Sequence, residues 1–424
     1  LWAAVVVVGS ALLRPARLTR GQRTATSALV GVLVLAVVAP AVLAAQLVTT
    51  TRDLIAGVFT DGESATVEDV PDPFGDQERV NVLLLGGDAG QGREGVRTDT
   101  VIVASIDTET GATTLISLPR NLQDLPFPQD SPLAEVYPDG FDAGTEDESL
   151  LNAVYRNGPD QHPGILGPTD DPGADFLKLG AGEALGLTID YYVLINLEGF
   201  ARLVDTLGGI TVNVNYYVPI GGDPGTGELP EDYIAPNPDQ RLEGRRALDF
   251  ARGRFGLTDY DRMARQRCVI DAIIEAADPI TLLRQYQELA QTTEDIVLTD
   301  IPSSALDDFV DLGFLVKDAP VRSLVLDTSV IDPAYPDYDE IRQLVEDALD
   351  PPAPAEGAGN GGGAKEATTA PSTAPSSSAE PSDPAEPPTP QPGRDPVDDV
   401  QDACAYDPEA AAEARAAGEP PTAD

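Results

Sequence analysis

The chain is poor in the side chains most often used for catalysis and metal binding. It carries one histidine, two cysteines, one methionine and one tryptophan in 424 residues. The lone His162 falls in a Pro/Gly-rich stretch (Gly158 to Pro172) and reads as a solvent-facing loop residue, so a Ser-His-Asp triad has no support. Cys268 and Cys404 form no metal-ligand spacing. A disulfide between them would need an oxidising compartment, and the position of Cys404 in an apparent tail speaks against it. Positive charge is scarce: 27 Lys and Arg face 71 Asp and Glu, for a formal net charge of −44. Nucleic-acid binding relies on a basic surface that neutralises phosphates, so nucleic acid is excluded as a partner. Aromatic residues make up 5%, yet 42% of the chain is hydrophobic, enough for one large core or two smaller ones. No internal repeat is visible. Richness in Ala, Val, Asp, Pro and Gly points to a high-GC genome and, by association, to an actinobacterial envelope.

Apolar runs are concentrated at the N-terminus. Ala28 to Val48 is a run of 21 residues, apolar but for Gln46, long enough to cross a bilayer, with Pro40 as a tolerated kink. Arg14, Arg17, Arg20 and Arg23 precede it, and the first acidic residue is Asp53. The positive-inside rule then leaves the basic segment (14–24) in the cytoplasm, the transmembrane helix at 25–48 and the rest of the chain outside the cell membrane. A cleavable signal peptide is the competing reading, but the run exceeds a usual signal-peptide core. Leu1 to Leu13 reads as the end of an earlier spanning helix. Residues 49–75 read as a polar linker and 76–350 as the folded domain. The composition shift to Pro, Ala, Ser, Thr and Gly at 351 makes 351–424 an expected disordered acidic tail.

Within the folded part, strands and helices alternate. Val80 to Leu85, Val101 to Ile106, Thr113 to Leu118, Tyr191 to Asn196 and Ile210 to Val214 read as strands. Leu150 to Tyr155, Asp175 to Leu185, Gly199 to Leu207, Arg245 to Ala251 and Asp261 to Ala277 read as helices. This predicts an α/β class, a three-layer α/β/α sandwich around a central mixed sheet. Five arginines (Arg252, Arg254, Arg262, Arg265 and Arg267) fall within Ala251 to Arg267. Guanidinium groups match phosphate oxygens, so an anionic ligand is one reading. The other is a solvated helix face paired with Asp249, Asp259 and Asp261. Asp88, after Gly86-Gly87, and Asp99 would meet at one sheet edge if their strands are antiparallel neighbours. They are then candidates to hold Mg²⁺ beside substrate phosphates, the alternative being ordinary turn and capping roles. The loop between them lacks the Gly-Lys-Ser/Thr ending of a P-loop. Arg120 follows a buried strand, where α/β folds collect ligand-binding groups, or else it pairs with Asp124. The apolar helices from Phe176 to Leu187 and Phe200 to Leu207 line a lipid groove or belong to an ordinary core.

Taken together, Asn81 to Asp88, Arg97-Thr98-Asp99-Thr100 and Ser117-Leu118-Pro119-Arg120 resemble the opening of the LytR-CpsA-Psr domain. The likeness runs on through Leu151-Asn152-Ala153-Val154-Tyr155, Ile189-Asp190-Tyr191-Tyr192 and Leu203 to Gly209. It closes on Ala251-Arg252-Gly253-Arg254 and Asp259-Tyr260-Asp261-Arg262, with Arg265-Gln266 behind. The resemblance implies a metal-dependent phosphotransferase that moves a glycopolymer from a polyprenyl pyrophosphate carrier to peptidoglycan, on the 6-hydroxyl of N-acetylmuramic acid. It implies Asp88 and Asp99 as ligands of Mg²⁺, with Mn²⁺ as a substitute. Arg120, Arg252, Arg254 and Arg262 are implied to hold the pyrophosphate. Arg97 would reach the phosphates or orient Asp99, and Gln266 matches a polar position beside them. Of these, Asp88, Asp99, Arg120, Arg254 and Arg262 are the expected catalytic set. The same site with water as acceptor would be a pyrophosphate-lipid hydrolase, and without chemistry a polyprenyl-phosphate-binding envelope sensor. The sequence departs from the family pattern at Asn121, where an Asp is usual, and at Leu150-Leu151, where a Lys is common.

Overall fold

The computed structural model describes residues 63–67, 73–75, 77–87, 96–277, 297–350 and 396–423. The proposed spanning segment, Asp88 and the expected tail at 351–395 lie outside these residues. Among the described residues, no helix is long and apolar enough to cross a membrane.

The centre is a seven-stranded mixed sheet, as expected. It comprises β1 (Arg79–Gly87), β2 (Thr98–Asp107), β3 (Thr113–Leu118), β4 (Tyr191–Asn196), β9 (Val297–Thr299), β10 (Val321–Val325) and β11 (Val397–Asp399). Their spatial order is β11-β10-β3-β2-β1-β4-β9. The hairpin strands β1, β2 and β3 pair antiparallel, while β4 joins β1 and β10 joins β3 in parallel. Both sheet faces are apolar, so helices cover both. Leu83, Leu85, Val101, Val103 and Ile116 pack on helices α2 (Leu151–Gln161), α3 (Pro172–Leu185) and α8 (Tyr338–Leu349). Val80 and Val82, on the other face, meet α7 (Leu306–Asp318). Phe176, Leu177, Ala181 and Leu185 of α3 sit in the first of these cores, and Val204 of α4 (Leu197–Thr206) is fully buried in a separate one. The first of these helices is therefore core, while in α4 only Gly199 and Val204 are buried.

A second, smaller core lies beside the sheet. It is built from two hairpin-like ladders, β5 (Ile210–Val214) with β8 (Asn237–Leu242) and β6 (Val218–Ile220) with β7 (Asp232–Ile234). Helices α5 (Gly244–Arg252) and α6 (Asp259–Ala276) pack against it through Ala247, Phe250, Val269 and Ala272. Helix α6 starts at a capping box in which Thr258 Oγ1 accepts from Asp261 N at 3.1 Å and Asp261 Oδ2 accepts from Thr258 N at 2.8 Å. That reciprocal pair satisfies two N–H groups which a helix start leaves open.

Three expectations are corrected. Residues 396–423 are folded, whereas the whole of 351–424 was expected as a disordered tail. Val397–Asp399 is an edge strand on β10, and two helices follow, Val400–Ala403 and Pro408–Ala417. Val400 is fully buried against Ile102 and Leu115, so a few apolar side chains suffice to dock a segment whose average composition is polar. Cys404 forms a disulfide with Cys268 of α6, with the Cα atoms 5.6 Å apart. His162, expected as a solvent-facing loop residue, caps the C-terminus of α2 and is half-buried, edge-on to Tyr137 at 5.3 Å between ring centroids.

Candidate active site

The site forms where β2 begins and β3 ends, at one end of the central strands. Its geometry starts from a bulge. Gly86 lies opposite Thr100 and Gly87 opposite Thr98, so Asp99 is the extra residue on β2. A bulge of this kind re-aims a side chain and is common beside active sites. Gly86 makes it possible, since a Cβ there would fall 2.9 Å from the Thr100 Cβ.

The carboxylate of Asp99 is held from two sides. Arg120, just beyond β3, donates from Nη1 to Asp99 Oδ1 at 2.9 Å, and Asn152 of α2 donates from Nδ2 to the same oxygen at 3.0 Å. The Asn152 backbone N–H also bonds the Arg120 carbonyl at 3.0 Å, so one residue fixes both partners. Helix α6 adds Arg262, whose Nη2 donates to the Asp99 carbonyl oxygen at 3.0 Å and to Asp259 Oδ2 at 3.0 Å. Asp259 is the hub of the cationic side chains. Its Oδ1 lies 3.3 Å from Arg120 Nε and 3.6 Å from Arg254 Nε without an aligned hydrogen bond to either, so these contacts are chiefly electrostatic.

The charges settle the protonation states. Burial raises the Asp99 carboxyl, but hydrogen bonds from Arg120 and Asn152 and the charges of Arg120 and Arg262 outweigh it, so its pKa lies below the ordinary aspartate value. Burial lowers the Arg262 guanidinium to about 10, with Asp259 and Asp99 opposing and Arg120 and Arg254 assisting. It remains charged at neutral pH. Three guanidinium groups thus face two carboxylates, leaving one positive charge in excess. Several buried polar atoms here lack hydrogen-bond partners among the described residues: Thr98 Oγ1, Asn152 Oδ1 and Arg262 Nε. Orphaned buried donors are uncommon, and Arg262 Nε is one that lies beside an excess of positive charge.

The other expected residues separate. Gln266 donates to Thr100 Oγ1 at 2.8 Å, tying α6 to β2 behind Asp99. Arg97 pairs with Glu148 at 2.7 Å in a neighbouring cluster with Arg156 and Asn157. Arg252 is exposed and, with Arg254, lines a cavity beside the cluster. Arg265 is buried and donates from Nε to the Phe250 carbonyl at 2.7 Å, from Nη1 to Tyr216 at 2.9 Å, and to the Gly253 carbonyl. It therefore braces the segment that presents Arg252 and Arg254. Arg267 lies 3.6 Å from Asp398 of the terminal segment. Asn152 and Asp259 were not assigned to the site from sequence. For Asp259 the signal was present, three residues before Arg262 on one helix.

Among the described residues, no group of three or more His, Cys, Asp or Glu side chains is arranged for a metal ion. Asp99 alone still offers a fitting donor. Its carboxylate is 41% exposed, and Oδ2 takes no hydrogen bond among the described residues. Asp88 follows Gly87, which lies opposite Thr98.

Comparison with known proteins identifies the family. A model of the LytR_cpsA_psr family matches residues 54–330. The chain is 31% identical over 231 residues to a polyisoprenyl-teichoic acid–peptidoglycan teichoic acid transferase, TagU, of Enterococcus faecalis, across 53% of this chain and 62% of that one. It is 26% identical over 241 residues to biofilm regulatory protein A of Streptococcus mutans, across 55% and 53% respectively. The chain thus spans between 53% and 62% of the length of these two relatives. Among solved structures, Bacillus subtilis TagV is 21% identical with a TM-score of 0.44, covering 65% of this chain and 98% of that one. With its family model covering most of its folded part, its mixed sheet and its arginine-carboxylate site, the chain belongs to the LytR_cpsA_psr family.

Proposed function

We propose that the protein is a phosphotransferase that moves a glycopolymer from a polyprenyl pyrophosphate carrier to peptidoglycan, at the 6-hydroxyl of N-acetylmuramic acid. The observation that carries this reading is the convergence of Arg120, Arg254 and Arg262 beside Asp99, with Arg262 Nε still lacking an acceptor. The names of the transferase relatives support the substrate class.

In this reading the acceptor hydroxyl oxygen forms a bond to the phosphorus next to the glycan, and the bridging P–O bond breaks. Polyprenyl phosphate leaves, and the hydroxyl proton passes to a carboxylate of the site, Asp99 or Asp88. Charge builds on the transferred phosphoryl and on the leaving phosphate, where preorganised guanidinium groups stabilise it. Arg120 and Arg262 are fixed by their bonds to Asp99 and Asp259, so little reorganisation is needed during reaction. Asp99 Oδ2 and Asp88 would hold Mg²⁺, which when bound adds positive charge against the phosphate oxygens. The apolar run at 28–48 supports a membrane anchor with the catalytic domain outside the cell. The disulfide supports the same placement, because such bonds persist in oxidising compartments.

The test uses the purified full chain with a short-chain polyprenyl pyrophosphate and Mg²⁺, following phosphate release. Release by the wild type that Arg254→Ala and Asp99→Ala each reduce by at least about 100-fold is the expected result. Adding a muropeptide then separates transfer from hydrolysis. No release, with lipid bound equally by all three proteins, would overturn the catalytic reading.

A further inference from the structure

Beside the arginine cluster lies a cavity of about 400 Å³ that none of the contacts above uses. That volume falls within the range of about 300–1,000 Å³ typical of small-molecule sites. One wall is the C-terminal end of α5 with the segment after it, carrying Asp249, Arg252 and Arg254. The opposite wall is the turn after β6, running through Gly221 to Gly225, with Glu231 beside it. The glycines of that turn are required: Gly221 and Gly222 have φ of +69° and +76°, and a Cβ on Gly222 would lie 2.9 Å from Pro230 N. The turn is also held shut, with Asp223 Oδ1 accepting from Gly225 N at 2.8 Å and Glu231 N donating to the Ile220 carbonyl at 2.9 Å. The cavity is therefore built from fixed backbone.

The chemistry of the lining narrows the ligand. Three guanidinium groups (Arg245, Arg252, Arg254) face three carboxylates (Asp223, Glu231, Asp249), so the charges balance. A second bare phosphate would favour a positive excess, as in the neighbouring cluster. A prenyl tail would need apolar walls, and a nucleobase an aromatic platform. The lining has no aromatic residue, and its few apolar side chains, Pro219, Ile220 and Pro224, share it with six charged ones. Planar guanidinium and carboxylate groups in equal number suit a neutral, polyhydroxylated ligand, each donating to or accepting from adjacent hydroxyls. Arg254 belongs to both places, lining the cavity and lying 3.6 Å from Asp259 in the cluster. A molecule joining a sugar to a phosphate would therefore span the two.

We propose that this cavity is a sugar subsite, holding the saccharide unit joined or presented to the phosphoryl group at Arg254, with Asp249 and Glu231 accepting its hydroxyl protons in hydrogen bonds. The proposal rests on the phosphotransfer reading for the identity of the reaction and adds the specificity-determining residues. The saccharide has two sources, the first sugar of the carrier-linked donor or the acceptor glycan.

The test uses the full chain with the near-isosteric variants Glu231→Gln and Asp249→Asn, checked for native folding by circular dichroism. Three probes are compared: polyprenyl pyrophosphate without sugar, the same lipid bearing a sugar, and a peptidoglycan glycan fragment as acceptor. Phosphate release from the sugarless lipid is expected to stay unchanged, because neither residue touches Asp99 or Asp259. KM should rise about tenfold, the worth of one or two hydrogen bonds, for either the sugar-bearing donor or the glycan acceptor. A rise confined to the donor arm assigns the cavity to the donor sugar, and a rise confined to the acceptor arm assigns it to the acceptor. KM unchanged in both arms, or equal impairment with the sugarless lipid, overturns the subsite. Should the wild type release no phosphate from any lipid, the phosphotransfer reading fails by itself. Calorimetric titration with the sugar-bearing lipid and with the glycan fragment then decides: binding of either one weakened by both variants supports the cavity as a sugar site, and equal or absent binding of both in all three proteins removes it.

Discussion

Single residues at this site act through one another. Asn152 illustrates this, since it holds the Asp99 carboxylate with its side chain and the Arg120 carbonyl with its backbone. Asp99 has its folded pKa below the ordinary value. Its charge is thus present through neutral and mildly acid pH, and is lost only as pH falls through the depressed value. Asn152→Ala removes one of the bonds that depress it. The acid limb of the pH–rate profile should move upward, and a cost of about 1–2 kcal/mol in stability should accompany it, measured by urea unfolding. Asp259 makes the opposite kind of contribution. Its carboxylate occupies the centre of three guanidinium groups and competes with an incoming anion for them. Asp259→Asn should tighten pyrophosphate binding by about three- to tenfold in calorimetry, while turnover drops because Arg120 and Arg254 lose their common anchor. Weaker binding would show that Asp259 serves only to hold the arginines in place.

At the scale of elements, the start of α6 connects stability to the site. Its capping box involves Thr258 and Asp261, and the first turn carries Asp259 and Arg262. Thr258→Ala should cost about 1 kcal/mol, seen as a lower Tm, together with a fall in turnover larger than for a cap change on any other helix. Elements of this kind were largely legible in the sequence. Thr113–Leu118, Tyr191–Asn196 and Ile210–Val214 coincide with the predicted strands, because apolar β-branched runs between turn residues admit few alternatives. Strand ends made Asp99 and Arg120 candidates, and the family resemblance implied their roles. The arginine run was ambiguous for a physical reason: a helix distributes its side chains around its axis. Arg262 reaches the site, Arg265 turns to the Phe250 carbonyl, and Arg267 reaches toward Asp398. Spacing along a chain reports such divergence only once the neighbours of each helix face are known.

At the scale of the molecule, what composition concealed was the return of the C-terminus. A window rich in Pro, Ala and Ser averages away the few residues that dock, here Val400, Ala411 and Cys404. The returning segment also contributes to a pH dependence. Asp271 of α6 is raised to about 6, first by burial and then by the charges of Glu275 and of Asp399 on the terminal segment. Its folded pKa lies above the unfolded value, so its contribution favours the fold at low pH. That contribution is lost as pH rises from the ordinary aspartate range through about 6. Asp271→Asn should raise stability at pH 7.5 by about 1 kcal/mol after discounting for solvent screening, and leave it nearly unchanged at pH 4, measured by thermal unfolding. The disulfide adds a property of another kind. It joins residues 136 positions apart, and β10 with α7 and α8 lies between them. A protease that cuts once anywhere between Cys268 and Cys404 produces two fragments that still travel as one species on a gel without reductant. On such a gel the nick becomes visible only when the sample is reduced, so a single band under oxidising conditions is no measure of an intact backbone in this protein.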